Sequence, residues 1–157
     1  MRWAEPVLAV RDLRRSLEFY ERVLGLEVVR DFGSHAALTG GLALQSLESW
    51  AELLDKTPED LWPGGFGGEV YYEAENFDDF LTELSRHPET ELVHPVREHR
   101  WGQRVARLYD PDRHIIEVGE SMAQVARRFF DSGLNTEGVA RRMEIPLEMV
   151  RTLLKQE

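Results

Sequence analysis

The chain contains no cysteine. That excludes disulfides, thiolate nucleophiles and cysteine-ligated zinc, and it fits a cytoplasmic protein. Long apolar runs are also missing. No segment approaches the ~18 residues of a membrane-spanning helix, and the opening MRWAEPVLAV has too short an apolar stretch for a secretory leader. Basic residues are scarce: 19 Lys and Arg stand against 29 Asp and Glu, a formal net charge of −10. The imbalance is local. Residues 120–157 hold six basic side chains (Arg127, Arg128, Arg141, Arg142, Arg151, Lys155) and six acidic ones (Glu120, Asp131, Glu137, Glu144, Glu148, Glu157), so residues 1–119 carry all of the −10. A body this acidic repels phosphate backbones, which argues against a nucleic-acid partner, and it offers no attraction to a membrane. Phosphate loop, nucleophile elbow and dinucleotide fingerprint are all absent. The five histidines, His35, His87, His94, His99 and His114, show no ligand spacing, although His94 or His99 could line a cavity mouth.

What is present is a repeat. EPVLAVRDLRRSLEFYERVLGLEVV (5–29) and EVYYEAENFDDFLTELSRHPETELV (69–93) share one grammar at an offset of 64 residues. A strand comes first. Asp12 or Asn76 then stands where a helix N-cap belongs, because its side chain accepts the free N–H groups of the first turn. A helix follows, with apolar residues at Leu13, Leu17, Tyr20 and Leu24, or at Phe77, Phe80, Leu81 and Leu84. Gly25 or Pro88 stops it. Further on, GGLALQS (40–46) and DRHIIEV (112–118) are each a turn and a strand, and they place Gln45 on Glu117. Each module therefore reads β-α-β-β-β. Strands are expected near 3–10, 26–32, 34–39 and 41–47 with a helix at 13–24, then near 69–75, 91–97, 102–109 and 113–119 with a helix at 77–86. The linker 48–68 reads as a short helix and a Gly-rich connector or lid. The fold class is α+β: modules 3–47 and 69–119 form a curved, half-open mixed sheet within a domain spanning 1–119.

Strand alternation puts Glu5 with Trp3, Val7 and Ala9 on one face, and Glu69 with Tyr71 and Glu73 on another. Those faces are expected to be concave and to meet about a pseudo-twofold axis. Glu5 then corresponds to Glu69, and Gln45 to Glu117. This bears on DPDRHIIEVGE (110–120), where Glu117 sits between Ile116 and Val118: its repeat partner turns a stray charge in an apolar strand into a cavity residue.

The pattern resembles the vicinal oxygen chelate superfamily, which includes glyoxalase I, fosfomycin- and bleomycin-resistance proteins and extradiol dioxygenases. VLAVRDLRRSLEFYERVLGLEVV, VYYEAENFDDFLTEL and WGQRVARLYDPDRHIIEV carry the resemblance, over residues 3–119. It implies a glyoxalase/bleomycin-resistance fold and a divalent ion held by Glu5, Gln45, Glu69 and Glu117. Glu117 matches the usual final glutamate. Glu5 and Glu69 stand where histidine is common, and Arg113 where the turn usually has glycine.

Three carboxylates in one half-dry cavity need a cation, a proton or an arginine beside them. Arg104 and Arg107 are available, and alternation lets only one point inward. With a metal, the all-oxygen set suits Mg²⁺ or Mn²⁺ better than Ni²⁺ or Zn²⁺. Glu117 or Glu69 could then act as base in a lyase or isomerase reaction. Without one, Trp3, Tyr71, Trp101 and Arg107 would line a binding cavity of the bleomycin-resistance type for an antibiotic or other small molecule. A homodimer is expected.

Residues 120–157 form a helical extension. SMAQVARRFFDSG reads as a helix with Met122, Val125, Ala126, Phe129 and Phe130 on one stripe, stopped at Gly133. Two short helices follow, the first capped by Thr136 and the second opened by Pro146. Ala140, Ile145 and Val150 fall where a helix-turn-helix keeps its core, with Glu144 in place of the turn glycine. A ligand-sensing regulator using these helices is the lesser reading, because the last helix offers only Arg151 and Lys155 against Glu148.

Overall fold

The computed structural model describes residue 2 and residues 4–155. They form two compact units. One comprises residues up to Glu69 together with His87–Glu91 and Tyr109–Ile115; the other comprises Val70–Arg86, Leu92–Leu108 and the chain from Ile116 onward.

In the first unit, β1 (Val7–Val10), α1 (Leu13–Leu24), β2 (Val28–Asp31), β3 (His35–Leu38) and β4 (Leu42–Ser46) follow the expected order. β1 is shorter than expected at its start, because Pro6 has no N–H for a ladder. Asp12 caps α1 by accepting from the Arg15 N–H at 3.0 Å, and Gly25 ends it in the left-handed region at φ 66°. The sheet order is β1-β4-β3-β2, with β1 parallel to β4 and the other pairs antiparallel. Tyr20 on α1, Val10, Ala36 and the Leu42–Leu44 stretch of β4 are buried together. The Tyr20 hydroxyl donates to Asp110 at 3.0 Å.

The DPD turn explains itself here. Asp110 accepts from the backbone N–H of Asp112 at 2.9 Å and of His114 at 2.8 Å. Asp112 accepts from the backbone N–H and the guanidinium of Arg11 at 3.1 and 2.8 Å. Arg113, where a glycine is usual, does adopt φ 73°. Its guanidinium lies 3.7 Å from the centre of the Tyr109 ring and pairs with Glu91. The connector returns to this turn: a Cβ on Gly64 would stand 2.6 Å from the Arg113 carbonyl oxygen, so only glycine fits. Between β4 and that point run α2 (Leu47–Leu53) and a single 3-10 turn at Pro58–Asp60.

The second module has β5 (Glu69–Ala74), α3 (Phe77–Leu84), β6 (Arg97–Glu98), β7 (Arg104–Tyr109) and β8 (Ile115–Glu120). Its order, β5-β8-β7-β6, repeats that of the first sheet strand for strand. The repeat read from the sequence is thus a repeat of topology. One strand departs from expectation. The stretch 91–97 forms no continuous ladder, keeping a Leu92–Leu108 bridge and a Val93 N–H bond to the Arg107 carbonyl at 2.8 Å. Pro95 interrupts it, since proline brings no donor.

β8 runs directly into α4 (Met122–Asp131), followed by α5 (Thr136–Met143) and α6 (Leu147–Leu153). Val125, Ala126, Val139, Met143, Val150 and Leu153 form their buried core, with Ala140 and Ile145 packed against it. Phe130 leaves the apolar stripe and is exposed, being one residue past Phe129 on a 100° helical step. The cap of α5 is Asn135, whose side chain accepts from the Gly138 N–H at 2.8 Å; Thr136, expected there, is the first helical residue. Glu144 takes the turn in the left-handed region at φ 58°. No helix among the described residues is long and apolar enough to cross a membrane.

Candidate functional site

In the first unit the expected position is Gln45 on β4, which lies beside Ala9 of β1 and His35 of β3. Gln45 is 7% exposed. Gln45 Oε1 accepts from His35 Nδ1 at 2.8 Å, and Gln45 Nε2 donates to the Ser49 hydroxyl at 2.7 Å. Both ends of the amide therefore have partners, as a buried polar group requires. Glu5 is half-buried just before β1. Trp3, expected in the ligand wall, lies outside the described residues.

In the second unit Glu117 on β8 is also 7% exposed. It forms an ion pair with Arg107 of the adjacent β7. Arg107 and Arg104 are three residues apart on one strand, so they point to opposite faces. Arg107 takes the face of Glu117. Arg104 takes the face of Glu120, donating to that carboxylate at 3.0 and 3.2 Å and to Asp78 at 2.8 Å. On the Glu120 face, burial raises that carboxyl, and hydrogen bonds from Arg128 and Arg104 outweigh it, leaving it below the ordinary carboxylate range.

An aromatic row extends the Glu117 face. The Tyr71 hydroxyl donates to Glu73 at 3.0 Å and accepts from Gln103 Nε2 at 2.9 Å. Gln103 Oε1 accepts from the Trp101 indole N–H at 3.1 Å. The Trp101 ring stacks on His99, with centroids 4.3 Å apart and planes 17° from parallel. Tyr71 and Gln103 cross β8 at Gly119, where a Cβ would stand 2.9 Å from Gln103 Nε2 and 3.0 Å from the Tyr71 ring. Glycine is required there by close approach. Burial, and then the hydrogen bond to Glu73, raise the Tyr71 hydroxyl pKa above its ordinary value.

The geometry brings Tyr71, Trp101, Arg107 and Glu117 to one sheet face, with Glu69 on the same side of β5 by alternation. The polar partners that fix them were not singled out from the sequence. His35 and Ser49 hold Gln45; Gln103 holds Tyr71 and Trp101. A signal existed for Gln103, since it lies two and four residues from Trp101 and Arg107, on one period-2 face.

A hard divalent ion needs oxygen lone pairs aimed at a common point. The Gln45 oxygen already accepts from His35, and the Glu117 carboxylate is held by a guanidinium. Among the described residues no three His, Asp or Glu side chains are grouped to hold an ion. Within each unit, then, Gln45 and Glu117 already have protein partners of their own.

Comparison with known proteins follows the topology. A family model described as a glyoxalase-like domain matches residues 3–123. No curated protein matches. Among solved structures, a protein of unknown function from Agrobacterium tumefaciens is 39% identical, covering 78% of this chain and 95% of its own, with a TM-score of 0.71. A glyoxalase-related enzyme from Fulvimarina pelagi shares the fold at 18% identity and a TM-score of 0.64, over 77% of this chain and 89% of its own. A glyoxalase/bleomycin resistance protein/dioxygenase superfamily member from Sphaerobacter thermophilus does so at 22% and 0.58, over 77% and 98%. With its two β-α-β-β-β modules in one strand order and a family match over most of its length, the chain belongs to the glyoxalase-like domain family of the vicinal oxygen chelate superfamily.

Proposed function

We propose that this protein binds a small organic molecule on the Arg107–Glu117 face of its second sheet and does so without a resident metal. The observation that carries the reading is the ion pair itself. It supplies the cation that a buried carboxylate needs, so no metal is required to neutralise Glu117. It also ties Glu117 to a fixed guanidinium, which suits recognition better than proton abstraction. That weighs against the lyase or isomerase reading with Glu117 or Glu69 as base.

The surroundings suggest the ligand's chemistry. Arg107 presents fixed donors to a carboxylate or carbonyl. Tyr71 and the Trp101–His99 stack offer flat surfaces to a planar or aromatic part. Several structural neighbours carry bleomycin resistance in their superfamily name, which makes a metal-free bleomycin a sensible first probe.

The test is isothermal titration of metal-free bleomycin and a panel of aromatic carboxylates, with and without EDTA, beside elemental analysis of protein purified without chelator. Binding indifferent to EDTA, and weakened at least tenfold in Arg107→Met, is expected. Stoichiometric Mn, Mg, Ni or Zn in the purified protein, with binding or turnover lost on chelation, would overturn the reading.

A further inference from the structure

The helices beyond residue 123 lie outside the family match, yet they hold the loop that carries Trp101. We infer that α4 and α5 are specificity-determining elements: they fix the 98–102 loop, and through it the Trp101–Gln103–Tyr71 row of the site. The inference rests on the reading of that face as a ligand surface.

The grip is specific. Arg142 of α5 donates to the Arg100 carbonyl at 2.5 Å and to the Glu98 carboxylate at 2.9 Å. Arg128 of α4 donates to the Gly102 carbonyl at 2.5 Å. Those carbonyls flank Trp101 on both sides. The Arg100 carbonyl lies in the peptide plane that ends at the Trp101 Cα, and the Gly102 carbonyl in the plane that leads on to Gln103; holding both pins the backbone on each side of Trp101 and so limits the directions in which its side chain can leave the loop. The Arg100 side chain pairs in turn with Glu144, in the turn between α5 and α6, at 2.9 Å.

Packing reinforces the charges. Phe129 of α4 lies under the loop, where a Cβ on Gly102 would stand 2.3 Å from its ring. Gly102 has φ 91°, a left-handed conformation that keeps the loop against that ring. Arg128 and Arg142 both lie over Phe129, 4.9 and 4.7 Å from its centroid. The helices are anchored to their own sheet, since Arg128 also donates to buried Glu120 at 2.9 Å and Gln124 to the Glu75 carbonyl at 2.5 Å. On its other side the loop ends at Gln103, which donates to Tyr71 and to the Glu120 carbonyl. Helix, loop and ligand wall thus form one hydrogen-bonded chain.

The experiment uses full-length protein grown with 5-fluorotryptophan, the Trp101 resonance being assigned by its loss in Trp101→Phe. Arg142→Gln is expected to shift or broaden that resonance and leave Trp50 in place, while Arg142→Lys restores it in part. Affinity for metal-free bleomycin should fall about tenfold in Arg142→Gln, the scale of one lost charge-assisted hydrogen bond. Phe129→Leu should act in the same direction; if it fails to fold, the solvent-accessible Arg142 still decides. A Trp101 resonance unchanged in Arg142→Gln overturns the inference. Absence of probe binding in the wild type would instead count against the ligand reading, while the fluorine signal still reports on the loop.

Discussion

Gln45 and Glu117 occupy the same place in two copies of one topology, and each is 7% exposed. Their neighbourhoods differ in kind. Gln45 is neutral and is satisfied by a histidine and a serine of its own unit. Glu117 is charged and is paired with an arginine. The repeat therefore preserves the backbone and the burial while each module solves its polar problem separately. A duplicated fold gives matched positions, and matched positions need not share a ligand.

The sharpest way to break this comparison is to remove the countercharge. Arg107→Met leaves Glu117 buried and unpaired, and should cost about 3–5 kcal/mol in urea unfolding. Arg107→Met combined with Glu117→Leu should recover most of that loss, while binding stays weakened at least tenfold; failure to recover would mean the pair is needed for more than charge balance. A similar test on the opposite face of the second sheet is Glu120→Gln, which removes the buried carboxylate that Arg104 and Arg128 share and should cost ~2–3 kcal/mol.

Glu120 also makes acid stability diagnostic. Its carboxyl is held below its ordinary value when folded. Its contribution is therefore complete above the unfolded value near ~4.3 and is lost as pH falls through the lower, folded value. Thermal melts from pH 6 to 3 should show a steeper loss in the wild type than in Glu120→Gln. Gln45→Leu, by contrast, removes the amide's bonds and leaves His35 and Ser49 unmet, for ~1–3 kcal/mol. The smallest stability effect is expected for Gly119→Ala, under about 1 kcal/mol because the atoms it meets end flexible side chains. It should still displace Tyr71, and a shifted Tyr71 ring signal with weakened probe binding would place that residue in the wall.

The scaffold was legible because its signals are local. Asp12 and Asn76 cap as read, Gly25 stops α1, and the DPD turn closes on its own carboxylates. The strand at 91–97 was misjudged because apolar content outweighed Pro95, whose missing donor acts only when a neighbouring strand is present. Thr136 and Asn135 are both competent caps, and which one serves depends on where the chain turns in. The choice between Arg104 and Arg107 was narrowed to one by alternation, but which face held which carboxylate needed the sheet. The partners of Gln45 were out of reach, because His35 arrives by strand pairing and Ser49 by the start of α2. A metal-ligand pattern can be read along a chain; whether its lone pairs are already taken cannot.

Gly102 has a consequence beyond the loop it shapes. The family match stops at residue 123, the second residue of α4. The ring that Gly102 accommodates belongs to Phe129, past that border. A chain cut where the family ends would lose the aromatic platform beneath its own ligand loop and one of the two arginines on Glu120. The border drawn by shared ancestry runs through the middle of a unit that holds together physically, so what looks like an appendage to the domain is part of its structural foundation.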